Sequence, residues 1–288
     1  MTLYDHPRTP ARPDAALITG ATSGIGFAMA RELSQRGHDV LVVADRGVDA
    51  AVRMLAEHTD ATVTGLEVDL TQPAGVEEAA ARARELGVRM FVLNAGVGVH
   101  GPFLRTALED ELRLVDLNVR SVVHLAHLVL PDLVAGRRGR LLVTSSTASA
   151  MPAPLFSTYA ASKAFLRSFA WSLRGELIDT GVTVTALLPS ATSTPFFRQA
   201  KMEGTHIGRA PKATPALVAR RAVDALLAGR AEVVPGLQAK LMMAMAAVLP
   251  QPARTAVHGW LYEPGAAPFP ASDDGPEGQR ASRSTTAP

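Results

Sequence analysis

Short apolar runs recur along this chain at residues 15–18, 40–44, 90–93, 140–144 and 182–188, and segments with helical periodicity lie between most of them. A run of four to seven apolar residues bounded by turn formers reads as a strand buried on both faces. A helix between two such strands brings the chain back to the same edge, so the strands must pair in parallel. A weaker candidate strand at 62–68 lies between helical segments at 48–57 and 75–86, which makes six, and 232–234 is a candidate seventh. The expected fold is α/β: a doubly wound parallel sheet of six to seven strands with helices on both faces. At 288 residues the chain has length for one large domain or two small ones, and the unbroken alternation favours one domain over 14–235.

Composition limits what this sheet can be used for. Hydrophobic residues make up 47% of the chain and aromatics only 5%, so the core must be built mainly from Ala, Val, Leu and Ile. The net charge is +2, and no basic run exceeds the pairs Arg137-Arg138 and Arg220-Arg221, so the concentrated positive stripe of a nucleic-acid partner is missing. With no cysteine there is no disulfide framework, no thiolate metal site and no cysteine nucleophile; no metal is expected, and the cytoplasm is the expected location.

The ends of the sequence read differently from its middle. Residues 1–13 hold three prolines and mixed charge, which predicts a flexible arm and not a secretory signal. Residues 236–263 are expected to form a helical extension packed on the same domain, and 264–288, rich in Pro, Gly, Ser and charge, a disordered tail. The apolar stretch 241–249 stops at Pro250, about half the length needed to cross a bilayer. It is compatible with a buried terminal helix, a lid or a membrane-surface contact. The segment 237–262, with Met242, Met243 and Met245, either closes over a pocket or helps form a subunit contact. Two long apolar helices are expected at 107–135, bent or ended by Pro131, and at 157–179, stopped near Gly181. Their broad apolar faces predict a homodimer or homotetramer.

The first strand runs into Thr19-Gly20-Ala21-Thr22-Ser23-Gly24-Ile25-Gly26 and then a helix. Glycines allow a tight turn and close backbone approach, while the free amides and dipole at a helix start favour a pyrophosphate. An ordinary strand-to-helix turn uses similar residues, so the glycines need support from elsewhere. That support is Tyr159-Ala160-Ala161-Ser162-Lys163 at the start of a long predicted helix, where a spacing of four puts phenol and ammonium on one face. A phenol titrates near 10, and a neighbouring cation would help it exchange a proton nearer neutrality. The chain has only three tyrosines and four lysines, so such a pair is an uncommon coincidence.

These motifs together resemble the short-chain dehydrogenase/reductase family, the branch marked by Thr-Gly-x-x-x-Gly-x-Gly and Tyr-x-x-x-Lys, over roughly residues 14–235. The resemblance implies a Rossmann-like fold and a set of roles. Ser146, thirteen residues before Tyr159, matches the serine that steadies the substrate oxygen. Tyr159 matches the acid/base, Lys163 the residue that binds the nicotinamide ribose, and Asn118 the asparagine of a proton relay. For the cofactor, the resemblance points to Thr19, Gly20, Ser23, Gly24, Ile25 and Gly26, to Asp69 and Leu70, to Asn94, Ala95 and Gly96, and to Pro189, Thr192 and Thr194. Ser190 departs from the family's usual glycine.

The choice between NAD and NADP rests on Asp45 and Arg46 at the end of the second strand, where an acid favours a ribose hydroxyl and an arginine a 2′-phosphate. The reading leans to NAD. Expected pocket walls are Val97, Gly98, Ala148, Ala150, Met151, Pro152, Phe156, Phe196 and Phe197, from loops at the carboxyl ends of strands, and they suggest an apolar substrate. The activity implied is hydride transfer between nicotinamide and a carbonyl or secondary alcohol. The alternatives are a non-catalytic NAD(P) redox sensor and a peripheral membrane scaffold.

Overall fold

A computed structural model describes residues 14–263; the arm at 1–13 and the tail at 264–288 lie outside the described residues. Seven strands form one parallel sheet in the order β3-β2-β1-β4-β5-β6-β7. They are β1 Ala16–Thr19, β2 Val40–Ala44, β3 Val63–Glu67, β4 Met90–Leu93, β5 Gly139–Thr144, β6 Val182–Leu187 and β7 Glu232–Val233. The apolar runs are those in the middle: β1, β2 and β4 are buried along their whole length. Strands covered on both faces have no reason to alternate. β3 and β7 are the edges, where β3 alternates between half-buried and exposed positions, and that is why its sequence signal is weak.

The helices sort to the two faces through separate cores. One core joins Leu17, Leu41, Val43, Phe91 and Val143 to helices α3 Pro73–Glu85, α5 Ser121–Ala135 and α6 Ser157–Glu176. The other joins Ala16, Ile18, Val40 and Val92 to α1 Gly24–Gln35, α2 Val48–Ala56 and α9 Pro215–Leu227. Alternate residues of one strand thus feed opposite cores, as the pleat requires. Alanines at the contacts, such as Ala79, Ala80, Ala83 and Ala126, bring α3 and α5 close to the sheet.

The helix expected over 107–135 is two helices. α4 Leu108–Val115 and α5 are joined through a π-helical turn at Asp116–Arg120. The extra residue in that turn rotates Asn118 inward, where it is 0% exposed. Pro131 lies inside α5 and does not end it. The helix expected to 179 ends earlier, with α6 closing at Glu176.

Beyond α6 come two single turns, α7 Phe196–Gln199 and α8 His206–Arg209, and, after α9 and β7, helices α10 Leu237–Val248 and α11 Gln251–Tyr262, separated at Pro250. Leu241 and Val248 of α10 are exposed, while Met243 packs on the first core. Among the described residues no helix is long and apolar enough to cross a membrane.

Candidate active site

β1 and β4 are neighbours in the sheet, but the chain leaves them in opposite directions, to β2 and to β5. A crevice must open at their carboxyl ends, since the loops diverge there. Thr19 ties the crevice floor: its hydroxyl accepts from the amides of Asn94 and Ala95 at 2.9 and 3.0 Å. Asn94 returns the tie, its Nδ2 donating to the Thr19 carbonyl at 3.1 Å while its Oδ1 accepts from Thr144 at 3.4 Å. Thr19 and Asn94 therefore lock the tips of β1, β4 and β5 together.

Over this floor the 19–26 turn needs its glycines. Gly20 has φ +65°, and a Cβ there would stand 2.8 Å from the Ala95 Cα; a Cβ on Gly26 would meet the Gly20 carbonyl oxygen at 2.3 Å. Ser23 caps α1 in an extended conformation without a side-chain bond to the helix amides. Ser23, Gly24 and Ile25 border the open cleft, so the first turn of α1 presents amides to it.

The cleft has a volume of about 580 Å³. Of the residues assigned to a cofactor from sequence, Gly20, Ser23, Gly24, Ile25, Asp45, Arg46, Asp69, Leu70, Asn94, Ala95, Gly96, Pro189, Thr192 and Thr194 line it; Thr19 and Gly26 sit behind the lining. At its outer end four charges face each other. Arg113 from α4 lies 3.4 Å from Asp69 and 3.9 Å from Asp45, and Arg46 lies 3.3 Å from Asp45. Burial pushes the Asp69 carboxyl up, but hydrogen bonds from the Thr71 amide and hydroxyl, with Arg113 beside it, leave it below the usual value. Arg113 belongs to no motif, and only the packing of α4 over the cleft brings it here.

At the inner end stand Ser146, Tyr159 and Lys163. Ser146 follows β5; its Oγ accepts from the Ala148 amide at 3.1 Å and donates to the Pro189 carbonyl at 3.5 Å, a long bond. Tyr159 is 9% exposed, with its ring stacked on Phe156 at 4.3 Å. Burial pushes its phenol up to about 12, and a hydrogen bond with Ser146 works against that rise. Lys163, one turn further along α6, is 4% exposed; burial lowers its ammonium to about 8. Its Nζ donates to the Thr144 carbonyl at 3.0 Å and lies 5.6 Å from the centre of the Tyr159 ring.

Asn118 does not border the cleft. Its Oδ1 accepts from the Val97 amide at 2.9 Å, and its Nδ2 donates to the Val97 carbonyl at 3.0 Å and to Ser162 at 3.2 Å. It thereby holds the loop after β4 against α6. A Cβ on Gly96 would lie 3.0 Å from Asn118 Oδ1 and 3.3 Å from Lys163 Nζ, so the loop passes tightly between the two side chains.

Val97, Gly98, Phe156, Phe196 and Phe197 line the cleft as expected, whereas Ala148, Ala150, Met151 and Pro152 do not. The turn at Thr147–Ala150 carries its chain away from the cavity: Ala148 and Met151 are buried, and Pro152 faces outward. Sequence reasoning did not single out Met202, Ile207 and Tyr262, which complete the inner wall from the loop before α8, α8 and α11; Tyr262 ends the segment 237–262, expected either to close over a pocket or to form a subunit contact. Tyr262 had one signal, an aromatic at the end of an apolar terminal segment; the other two had none.

Comparison with known proteins agrees with this geometry. Residues 14–204 match the family described as short chain dehydrogenase. The 1-deoxy-11-beta-hydroxypentalenate dehydrogenase of Streptomyces avermitilis is 39% identical over 194 residues, covering 65% of this chain and 72% of that protein. An NADP-dependent 3-hydroxy acid dehydrogenase of Salmonella typhi is 30% identical over 191 residues, 65% of this chain and 76% of that one. Among solved structures, a short-chain dehydrogenase from Sphingobium yanoikuyae in complex with NADPH superposes with a TM-score of 0.73 at 28% identity, over 83% of this chain and 97% of its own. The chain therefore belongs to the short-chain dehydrogenase/reductase family, the NAD(P)-dependent oxidoreductases that act on hydroxyl and carbonyl groups.

Proposed function

We propose that the protein interconverts a carbonyl and a secondary alcohol on an apolar small molecule, with Tyr159 as acid/base, Ser146 and Lys163 beside it and Asn118 as the positioning residue. The observation that carries this is the meeting of the Tyr159 and Ser146 hydroxyls at the inner end of the cleft, with the Lys163 ammonium over the tyrosine ring.

The residues present fit a nicotinamide dinucleotide. Side chains are missing where a pyrophosphate needs backbone contact: a Cβ at Gly20 would collide with Ala95 and one at Gly26 with the Gly20 carbonyl. Gly20, Ser23, Gly24 and Ile25 would hold the phosphates, Asp69 and Leu70 the adenine, Asn94, Ala95 and Gly96 the inner ribose region with Lys163, and Pro189, Thr192 and Thr194 the carboxamide. When bound, the nicotinamide supplies or accepts a hydride at the substrate carbon. We assign Asp45 to the adenine ribose hydroxyls, which favours NAD. Arg46, with a side chain 83% exposed, is placed to meet a 2′-phosphate in the opposite case.

The chain's own groups account for the proton. Ser146, its Oγ accepting from Ala148, turns its proton from the long bond to the Pro189 carbonyl to the substrate oxygen and fixes it beside Tyr159. Tyr159 gives that oxygen a proton in reduction and takes one in oxidation. A phenol raised to about 12 is a firmly protonated acid, suited to reduction, and must be lowered for oxidation. Lys163, one helical turn away and charged at neutral pH, provides that lowering as it turns from Thr144 toward the ribose. A path from Tyr159 to solvent would start at Lys163 and Asn118, which border the same point over Gly96.

The test is titration of wild type and Tyr159→Phe with NADH and NADPH, followed by addition of carbonyl compounds. Expected are equal cofactor affinities in the two proteins, tighter binding of NADH, and a fall in turnover of about 10²–10⁴-fold in the variant. Tighter NADPH binding would assign Arg46 to the 2′-phosphate. Cofactor binding without turnover over a broad carbonyl panel would favour a redox sensor.

A further inference from the structure

The cleft holds a second phenol. Tyr262, the last residue of α11, is 3% exposed and lines the same cavity as Tyr159. Its ring lies against Phe156 at 5.1 Å, the ring on which Tyr159 also stacks. Burial first, and then Tyr159 nearby, hold Tyr262 above the ordinary phenol range, so it stays protonated and able to donate. The Tyr159 hydroxyl has Ser146; the Tyr262 hydroxyl has no hydrogen-bond partner among the described residues. That hydroxyl is not sealed off: it opens to the cleft that Tyr262 lines, where an oxygen of a bound molecule can accept from it.

The helix carrying this phenol is fastened at several points. His258 is 1% exposed, and its Nδ1 lies 3.2 Å from the Pro152 carbonyl, an acceptor that requires Nδ1–H. Burial lowers its pKa, which keeps the ring neutral in that role. His100 Nε2 reaches the Tyr262 carbonyl at 2.8 Å, so the residue itself is clamped from the loop after β4. From the other side the His206 amide donates to the Glu263 carbonyl at 3.2 Å, and the His206 ring stacks on Trp260 at 4.2 Å. Three loops around the cleft thus fix where the Tyr262 side chain enters it.

We propose that Tyr262 is a substrate-recognition residue whose hydroxyl bonds a second oxygen on the substrate, so that the preferred substrate is a compact apolar ketone or alcohol bearing another uncharged oxygen remote from the reacting one. Phe156, Phe196, Met202 and Ile207 pack in one cluster with Tyr262 at the wall of the cavity; they suit an apolar body, and none of the four is a cation for a carboxylate. The proposal takes the identity of the reacting group from the oxidoreductase reading above.

The probes are trans-1-decalone and trans-decalin-1,5-dione, one skeleton with one or two carbonyls, assayed with wild type and Tyr262→Phe in the presence of saturating reduced cofactor. Wild type should favour the dione in kcat/KM by about tenfold, the worth of one hydrogen bond otherwise left unmade. In Tyr262→Phe the loss should fall on the dione and bring the ratio near one, with Tm unchanged. An unaltered ratio, or equal losses for both ketones with a lower Tm, would reduce Tyr262 to a wall and overturn the proposal. Calorimetric binding of the same probes to the cofactor complex separates the two readings. If neither probe is reduced, carbonyl reduction of such skeletons fails, while dione-selective binding that disappears in Tyr262→Phe still upholds the role of Tyr262; binding without selectivity overturns it.

Discussion

Lys163 shows what the site costs. Burial lowers its ammonium from 10.5 to about 8, so at neutral pH the native state carries a charged group that the unfolded chain would hold in water. A shift of that size is worth about 3 kcal/mol against the fold. Below about pH 8 both states are protonated and the full cost applies. Between about pH 8 and 10.5 the unfolded state binds the extra proton, so stability rises with pH and the cost fades. Lys163→Met should therefore raise stability at pH 7 by about 1–2 kcal/mol, less than the full shift because the Thr144 carbonyl loses its donor. The gain should shrink by pH 10, and turnover should be lost throughout; denaturant unfolding at the two pH values is the check. Tyr159 works in the other direction: its raised phenol favours the fold at pH below about 10, and that contribution is lost as pH rises toward 12. At this scale the Tyr159–Lys163 pair was legible because a spacing of four is one turn of α6, and Ser146 was named only through the family resemblance. Arg113 was not, because it reaches Asp45 and Asp69 only through the packing of a separate helix.

Among the elements, the β1–α1 turn and the π turn carry the site in different ways. The turn is built from contacts too close for side chains, so Gly26→Ala should lose about 1–3 kcal/mol by overpacking against the Gly20 carbonyl and weaken NADH binding at least about tenfold. Gly175→Ala in α6 is the control. A Cβ there meets nothing within 4 Å, so the change should stabilise slightly, by up to about 1 kcal/mol, with cofactor affinity unaltered. The strands in the middle of the sheet were legible as continuous apolar runs because both their faces are covered. The π turn at Asp116–Arg120 was not: its sequence, Asp-Leu-Asn-Val-Arg, fits an ordinary helix, and the demand for an inward Asn118 comes from Val97 and Ser162, far away in the chain.

Across the whole molecule, α4 and α6 touch and leave an apolar surface outside the two cores. Leu108 and Leu112 of α4 are 63% and 54% exposed, and Phe165 and Trp171 of α6 are 43% and 49% exposed. A surface of this kind is what the expected self-association would bury. We expect sedimentation to give a dimer or tetramer, and Leu112→Asp to give a monomer that still binds cofactor; a wild-type monomer would refute the self-association. By itself the sequence determined the layered α/β sheet, the glycine turn between β1 and α1 and the Tyr159–Lys163 pair, since each depends on local periodicity or spacing. Only the tertiary structure decided which charges meet at Asp45, that the 147–152 chain turns away from the cavity, and that α11 returns to put Tyr262 beside Tyr159. Those contacts join segments up to about a hundred residues apart, and their energies come from burial and hydrogen bonds that exist only once both segments are packed.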